Sequence, residues 1–221
     1  MSAFQIGVDE AGKGPVLGPM IAAAVRADPA DLPEGIADSK RLTPAKRESL
    51  ADRLQAMDGV DIGVGIVSVQ EIDDPETDMN GLTVAAQVRA IAAVAEGSEE
   101  AIVDAGDVSE SRFGRRVTDG VASEGIDIAV TAEHGADEEH TLAAAASIVA
   151  KVERDSRMDA VGADYDDCGP VGSGYPSDPT TREFLASYVD RHGELPACAR
   201  QSWSTCEDVL AAAEQAALGD F

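Results

Sequence analysis

The chain has 221 residues, 44% of them hydrophobic, enough for one globular domain with a small C-terminal extension that buries roughly 70% of its unfolded surface, and too apolar for a disordered chain. Forty-two acidic residues against 17 basic ones leave a formal charge of −25, and only four of the basic residues are lysines (Lys13, Lys40, Lys46 and Lys151). In dilute buffer that charge speaks against a nucleic-acid partner; in a halophile's molar-salt cytoplasm, with a Debye length of about 3 Å, the self-repulsion and that objection both fade.

Phe4, Ile6 and Val8 alternate as in a strand that runs into Asp9 and Glu10 and then into the turn Gly12-Lys13-Gly14-Pro15. Met20 to Ala27 reads as a second strand, antiparallel to the first because the link is short. Thr43 and Pro44 open a helix with an apolar stripe of Leu50, Leu54 and Met57. Val60, Ile62, Val64 and Ile66 alternate with Asp61, Gly63 and Gly65 as in a half-buried strand.

Leu82 to Ala95 carries Val84, Val88 and Ile91 at helical spacing, and the short run from Ala101 is a buried strand ending in Asp104. Arg112 to Ser123 reads as a helix stopped by Gly125; Ile126 to Asp137 reads as a strand and loop. A long helix from about Glu139 to Met158 has a face of small residues suited to close packing. Beyond Gly162 comes a loop, a helix started by Pro179 after Asp178, and a helical portion ending near Phe221. Strands alternating with helices indicate an α/β domain with a largely parallel sheet, over about residues 1–160, and an extension over 161–221.

Cys168, Cys198 and Cys206 are odd in number and lack C-x-x-C spacing, so free thiols in a reducing compartment, and no structural zinc, are expected. With neither a signal-peptide pattern nor a run of 18 apolar residues, a cytoplasmic protein without a membrane span is expected. His134, His140 and His192 lack metal-ligand spacing, and Ser147 lies in no G-x-S-x-G turn.

Ligands of α/β sheets lie beyond the carboxyl ends of the strands, which is where Asp9, Asp104 and, after a few loop residues, Asp137 fall. Carboxylates gathered in one place repel each other unless cations lie between them, and hard oxygen donors select Mg²⁺ or Mn²⁺. The competing reading of any one of them is solvated surface, given 42 acidic side chains.

The blocks GVDEAGKGPVLGPM, DSKRLT, IVDAGD, HGAD, AAASIVAKVERD and GSGYPSDPTTREFL, in this order from about Ile6 to Trp203, resemble those of type 2 ribonuclease H, in its archaeal form. The resemblance implies an RNase H-like fold, α/β with a mixed five-stranded sheet flanked by helices, plus a C-terminal helical extension that helps bind the hybrid duplex. It implies an endonuclease that cuts the RNA strand of RNA/DNA hybrids and at ribonucleotides embedded in duplex DNA, leaving 5′-phosphate and 3′-hydroxyl ends. The family's four catalytic, metal-holding carboxylates fall on Asp9, Glu10, Asp104 and Asp137, which would hold two Mg²⁺ or Mn²⁺ ions. Gly12, Lys13 and Gly14 would contact the ribose 2′-hydroxyl with Tyr175, and Lys40, Ser147 and Lys151 would hold phosphates; Asp155 would orient the site.

Many family members carry Arg where this chain has Lys13, and the GKG form also occurs in type 3 enzymes, which favour longer RNA tracts. Gln215, Leu218 and Phe221 fit the Q-x-x-L-x-x-F pattern of sliding-clamp ligands without its second aromatic; an Ala-rich helix end is the other reading. The resemblance points to a monomer. Two alternatives stay open: a DNA-directed metal nuclease on the same fold, and a non-catalytic, clamp-associated protein that binds hybrids.

Overall fold

A computed structural model describes residues 4–36, 42–97 and 99–219, with side chains in the last helix through Ala216. Lys40 and Phe221 lie outside the described residues, and Leu218 is described only in its backbone. The chain divides into two compact units, one of Met1–Ala11, Met20–Val67 and Asp78–Arg154, the other of Gly12–Pro19, Ser68–Thr77 and Asp155–Phe221.

The first unit is built on a five-stranded mixed sheet in the order β3-β2-β1-β4-β5. Strands β1 (Gln5–Ala11), β2 (Met20–Ala27) and β3 (Asp61–Val67) form an antiparallel meander, as the short first link requires. Strands β4 (Glu100–Asp104) and β5 (Ala129–Glu133) then run parallel to β1, reached through helical crossovers. The first strand is longer than its apolar alternation, since Asp9 and Glu10 lie within it and pair with Ala23 and Ala22 of β2.

Helices cover both faces. Helix α1 (Pro44–Gln55) contributes Leu50, Ala51 and Leu54, and α6 (Thr141–Asp164) contributes Leu142, Ala144 to Ala146 and Ile148 to Ala150, to a core shared with Ile21, Ala23 and Val25 of β2. At its start α6 comes close to the sheet, where a Cβ on Gly7 of β1 would lie 2.1 Å from the Leu142 backbone. On the other face lie α3 (Met79–Ala92), over the first three strands, and α4 (Glu110–Ser123), over β5. Strand β2, interior to the sheet, is buried along its whole length, as expected when helices cover both sides.

Its one charged residue, Arg26, is satisfied by three carboxylates: Nε donates to Glu99 at 2.6 Å, Nη1 to Asp61 at 2.7 Å and Nη2 to Glu96 at 2.6 Å. The Phe4 ring lies 4.5 Å from the guanidinium.

The glycines of β3 are not on an open face. A Cβ on Gly65 would lie 1.9 Å from the Ala86 carbonyl oxygen, and one on Gly63 would lie 2.2 Å from that of Ala90, both in α3. Glycine is therefore placed where a helix backbone rests on the strand, while Ile62, Val64 and Ile66 pack on the core of the opposite face.

The second unit holds α2 (Val69–Ile72), the end of α6 from Asp155, α7 (Pro179–His192) and α8 (Ser204–Gly219). Its core gathers Val16, Leu17, Phe184, Leu185, Cys198 and Cys206, and Tyr165 meets Phe184 and Tyr188 edge-on at 5.7 and 5.6 Å. Helix α7 starts as its sequence predicts, the Asp178 carboxylate accepting from the Thr180 N–H at 3.0 Å with Pro179 in the first turn. All three cysteines are buried and unpaired with one another.

Gly65→Ala is expected to destabilise the protein by about 1–3 kcal/mol, because α3 must move to admit the methyl group. A thermal midpoint in molar KCl equal to that of the parent protein would contradict the close approach.

Candidate active site

The carboxylates of the first unit come from two neighbouring parallel strands. Val8 of β1 is in register with Val103 of β4, so Asp9, near the end of β1, and Asp104, the last residue of β4, follow side by side. Successive strand residues face opposite sides. Asp9 accordingly meets α6, and Glu10 meets α3. One ligand oxygen from each of Asp9, Glu10 and Asp104 lies within 4.8 Å of the others.

Each carboxylate is oriented by neutral donors. Asp9 is buried; its Oδ1 accepts from the Glu10 N–H at 2.7 Å, and its carboxylate is also hydrogen-bonded to the Ser147 hydroxyl. Ser147, fully buried on α6, accepts in turn from the Lys151 ammonium one turn later at 2.6 Å. Two of the three residues expected at phosphates, Ser147 and Lys151, thus form a chain leading to Asp9. Asp104 Oδ1 accepts from the Ala136 N–H at 2.8 Å.

That contact sets the position of Asp137, which lies not in a loop but in the first turn of a short helix, α5 (Ala136–Glu139), entered through Gly135 in a left-handed conformation. Asp137 is buried next to the residue that binds Asp104, outside the 4.8 Å group of the other three. The loops that follow β4 and β5 are further joined by His134, whose Nε2 lies 2.7 Å from the Asp107 carbonyl and whose N–H donates to Glu110 at 2.8 Å. The Asp107 carbonyl, more than the nearby Glu110 carboxylate, raises the His134 pKa above its ordinary value.

Sequence reasoning passed over Gln87. Fully buried on α3, it donates from Nε2 to Glu10 Oε2 at 2.8 Å and to the Asp104 carbonyl at 2.9 Å. A signal was there: Gln87 lies three residues after Val84 and four before Ile91, a polar side chain inside an apolar stripe.

Burial first, then the charge of Glu10, with Asp104 adding to it, raises the Asp9 carboxyl from 3.8 to about 8, against the lowering effect of Ser147. The donor set is all oxygen and its mutual repulsion is of the kind a divalent cation relieves, so the residues fit a hard metal ion.

In the second unit, the turn after β1 is stitched to two distant segments. The Val16 and Leu17 N–H groups donate to the Gly174 carbonyl at 2.8 and 3.2 Å, and the Arg200 N–H donates to Val16 at 2.8 Å. Gly12 has φ +87°, a conformation suited to glycine. Tyr175, 41% exposed, lies over Gly14, where an added Cβ would be 3.8 Å from its ring. Two blocks about 160 residues apart in sequence therefore share one surface.

Arg200 holds this turn from inside. Its fully buried guanidinium donates to three carbonyls, Gly12 at 2.6 Å, Gly18 at 2.9 Å and Lys13 at 3.1 Å, and packs 5.2 Å from the Trp203 ring. Of the remaining expected site residues, Asp155 is half-buried on α6 outside the carboxylate group, and Gln215 is exposed on α8.

The family model for ribonuclease HII matches residues 6–206. The chain belongs to the ribonuclease HII family. A ribonuclease HII of Halobacterium salinarum is 61% identical over 217 residues, 98% of this chain and 99% of the relative. Among solved structures, ribonuclease H2 of Pyrococcus horikoshii OT3 is 34% identical with a TM-score of 0.85, covering 96% of this chain and 99% of that one. The ribonuclease HII in a complex with PCNA from Archaeoglobus fulgidus is 34% identical with a TM-score of 0.78, covering 93% and 96%. Membership of the family makes the protein an enzyme, a metal-dependent endonuclease acting on the RNA strand of RNA/DNA hybrids.

Two measurements follow. Because the folded Asp9 carboxyl titrates above its unfolded value, its protonated form favours folding; that contribution is complete below 3.8 and is lost as pH rises through about 8. Metal-free Asp9→Asn should therefore melt higher than the parent, by a margin that grows as pH rises, and should gain less than the parent from added Mg²⁺. Arg200→Met removes the donors of three carbonyls at about 1–3 kcal/mol for each left buried and unpaired, so a large fall in the denaturation midpoint is expected. Arg200→Lys should recover less than half of it, since an ammonium cannot span the three acceptors.

Proposed function

We propose that Asp9, Glu10 and Asp104, with Asp137 beside them, are the catalytic carboxylates, and that they hold two Mg²⁺ or Mn²⁺ ions. The gathering of three carboxylate oxygens within 4.8 Å at the ends of β1 and β4 is the observation that carries this reading. When bound, the ions supply a water activated for attack on the scissile phosphate and stabilise the leaving 3′ oxygen, so the products carry 5′-phosphate and 3′-hydroxyl ends.

The protein's own groups do the rest. Ser147, fixed by Lys151, keeps the Asp9 carboxylate turned toward Glu10 and Asp104. The Lys151 ammonium, half-buried, adds positive charge for a substrate phosphate, with Lys40 assigned the same task. Backbone groups of Gly12, Lys13 and Gly14, whose turn Arg200 holds by its carbonyls, face the ribose 2′-hydroxyl together with Tyr175. That hydroxyl is the sugar feature that separates RNA from DNA, so the same turn allows cleavage at a single ribonucleotide embedded in duplex DNA.

We assign the protein to the cytoplasm as a monomer; no helix among the described residues is long and apolar enough to cross a membrane. Docking on the replication sliding clamp through Gln215, Leu218 and Phe221 is a second reading, supported by the exposure of Gln215 and by the PCNA complex of the Archaeoglobus fulgidus relative. Removing the last seven residues should abolish clamp binding and leave cleavage intact.

Three labelled duplexes, all-DNA, DNA with one ribonucleotide and RNA/DNA hybrid, test the central claim in molar KCl with Mg²⁺ or Mn²⁺. Cutting is expected only where ribose is present, with a loss of at least about 100-fold in Asp9→Asn and a lowered ribose preference in Tyr175→Phe. Cleavage of all-DNA duplex would point to a DNA-directed nuclease, and hybrid binding without cleavage under any of these metals to a binding protein.

A further inference from the structure

Gln87 is a buried polar residue whose presence packing alone does not account for. Both contacts of its Nε2 are to the carboxylate-bearing strands, Glu10 Oε2 at 2.8 Å on β1 and the Asp104 carbonyl at 2.9 Å on β4. Its Oε1 is buried and, among the described residues, has no hydrogen-bond partner. A buried, unpaired carbonyl lowers stability. Leucine or methionine would fill a comparable volume in this apolar stripe without that cost. The amide is understandable for what its other end does.

We infer that Gln87 is a positioning residue that sets the affinity of the carboxylate cluster for divalent cations, by fixing the Glu10 side chain against the end of β4. This rests on the carboxylates being the metal-holding groups. The chemistry of the amide suits the task. Its Nε2 can only donate, so it holds Oε2 of Glu10 and makes no claim on the second carboxylate oxygen. It bonds the Asp104 main chain with the same nitrogen, so the Glu10 side chain and the strand end that bears Asp104 are held in one geometry. It is also uncharged. A lysine or arginine would hold Glu10 as an ion pair and compete with the cations, while a carboxylate would add a further negative charge to Asp9, Glu10 and Asp104. Partners of this kind, one step away from the metal, typically change affinity by about 10–100-fold when removed.

The test uses the full chain in molar KCl, with Mn²⁺ binding measured by calorimetry, the metal-free thermal midpoint by circular dichroism, and hybrid cleavage as a function of Mn²⁺ concentration. Gln87→Met should keep or raise the metal-free midpoint, since the unpaired carbonyl is gone, and should weaken Mn²⁺ binding about 10–100-fold. Its cleavage should be recovered in part at high Mn²⁺, with KM for the hybrid near that of the parent. A lowered midpoint with unchanged Mn²⁺ affinity would make Gln87 a packing residue and overturn the inference. Gln87→Glu, which keeps the shape but removes the donor, decides the matter if Gln87→Met does not fold: parent-like affinity overturns the inference, and a loss of 10-fold or more supports it. Asp9→Asn separates the two levels. If it binds Mn²⁺ as the parent does, the metal-holding role of the carboxylates fails; if it loses binding while Gln87→Met does not, the Gln87 inference alone fails.

Discussion

Mutual repulsion among Asp9, Glu10 and Asp104 is the constraint on which the first unit is organised. Three oxygens within 4.8 Å, one of them on a buried side chain, are an arrangement the fold must enforce. Enforcement comes from several directions: the parallel pairing of β1 with β4, Ser147 from α6, Gln87 from α3 and the Ala136 N–H from the start of α5. These donors are neutral. They orient the carboxylates without cancelling their charge, and the nearby ammonium of Lys151 reaches Asp9 only through the Ser147 hydroxyl. A cation in direct contact with Asp9 would have relieved the strain and weakened the pull on a divalent ion; an interposed hydroxyl preserves both.

With a formal charge of −25, the chain places two of its buried cations, Arg26 and Arg200, where one guanidinium serves several acceptors. Arg26 gathers three carboxylates, one of them, Glu99, without exposed side-chain surface, while Arg200 gathers three backbone carbonyls. The rigid five-donor fork makes both possible, and an ammonium could replace neither. The remaining acidic surplus lies largely on the surface, where molar salt screens repulsion over about 3 Å. Contacts at hydrogen-bond distance, such as those of Arg26, are short enough to survive that screening. The 61% identity to a Halobacterium salinarum relative fits this division between screened surface and paired interior.

What could be read from the sequence was governed by locality. Asp178-Pro179 announced α7, Met20 to Ala27 announced β2, and the strand-end placement of Asp104 followed from a short apolar run with a charged end. The helix after β3, α2, was missed although Ser68 and Glu71 form a capping box over it, because four residues are too few to show a period. The glycines of β3 looked like a solvent face because an absent side chain gives no sign of what approaches it; α3 backbone does. Gln87 and Arg200 were invisible for a different reason. Their partners are 77 and 188 residues away, and a lone polar residue in a helix or loop has no spacing that foretells a distant acceptor.

The turn held by Arg200 bears on what Lys13 means. If the 2′-hydroxyl is read by backbone groups, discrimination between ribose and deoxyribose depends on the shape of residues 12–14, and that shape is set by a guanidinium gripping the Gly12 and Lys13 carbonyls and by the left-handed conformation of Gly12. None of these involves the side chain at position 13. Exchange of lysine for arginine there replaces a point charge with a planar fork and leaves the carbonyl anchors in place. On the proposal that this turn reads the ribose, its recognition depends on how firmly Arg200 holds the Gly12 and Lys13 carbonyls.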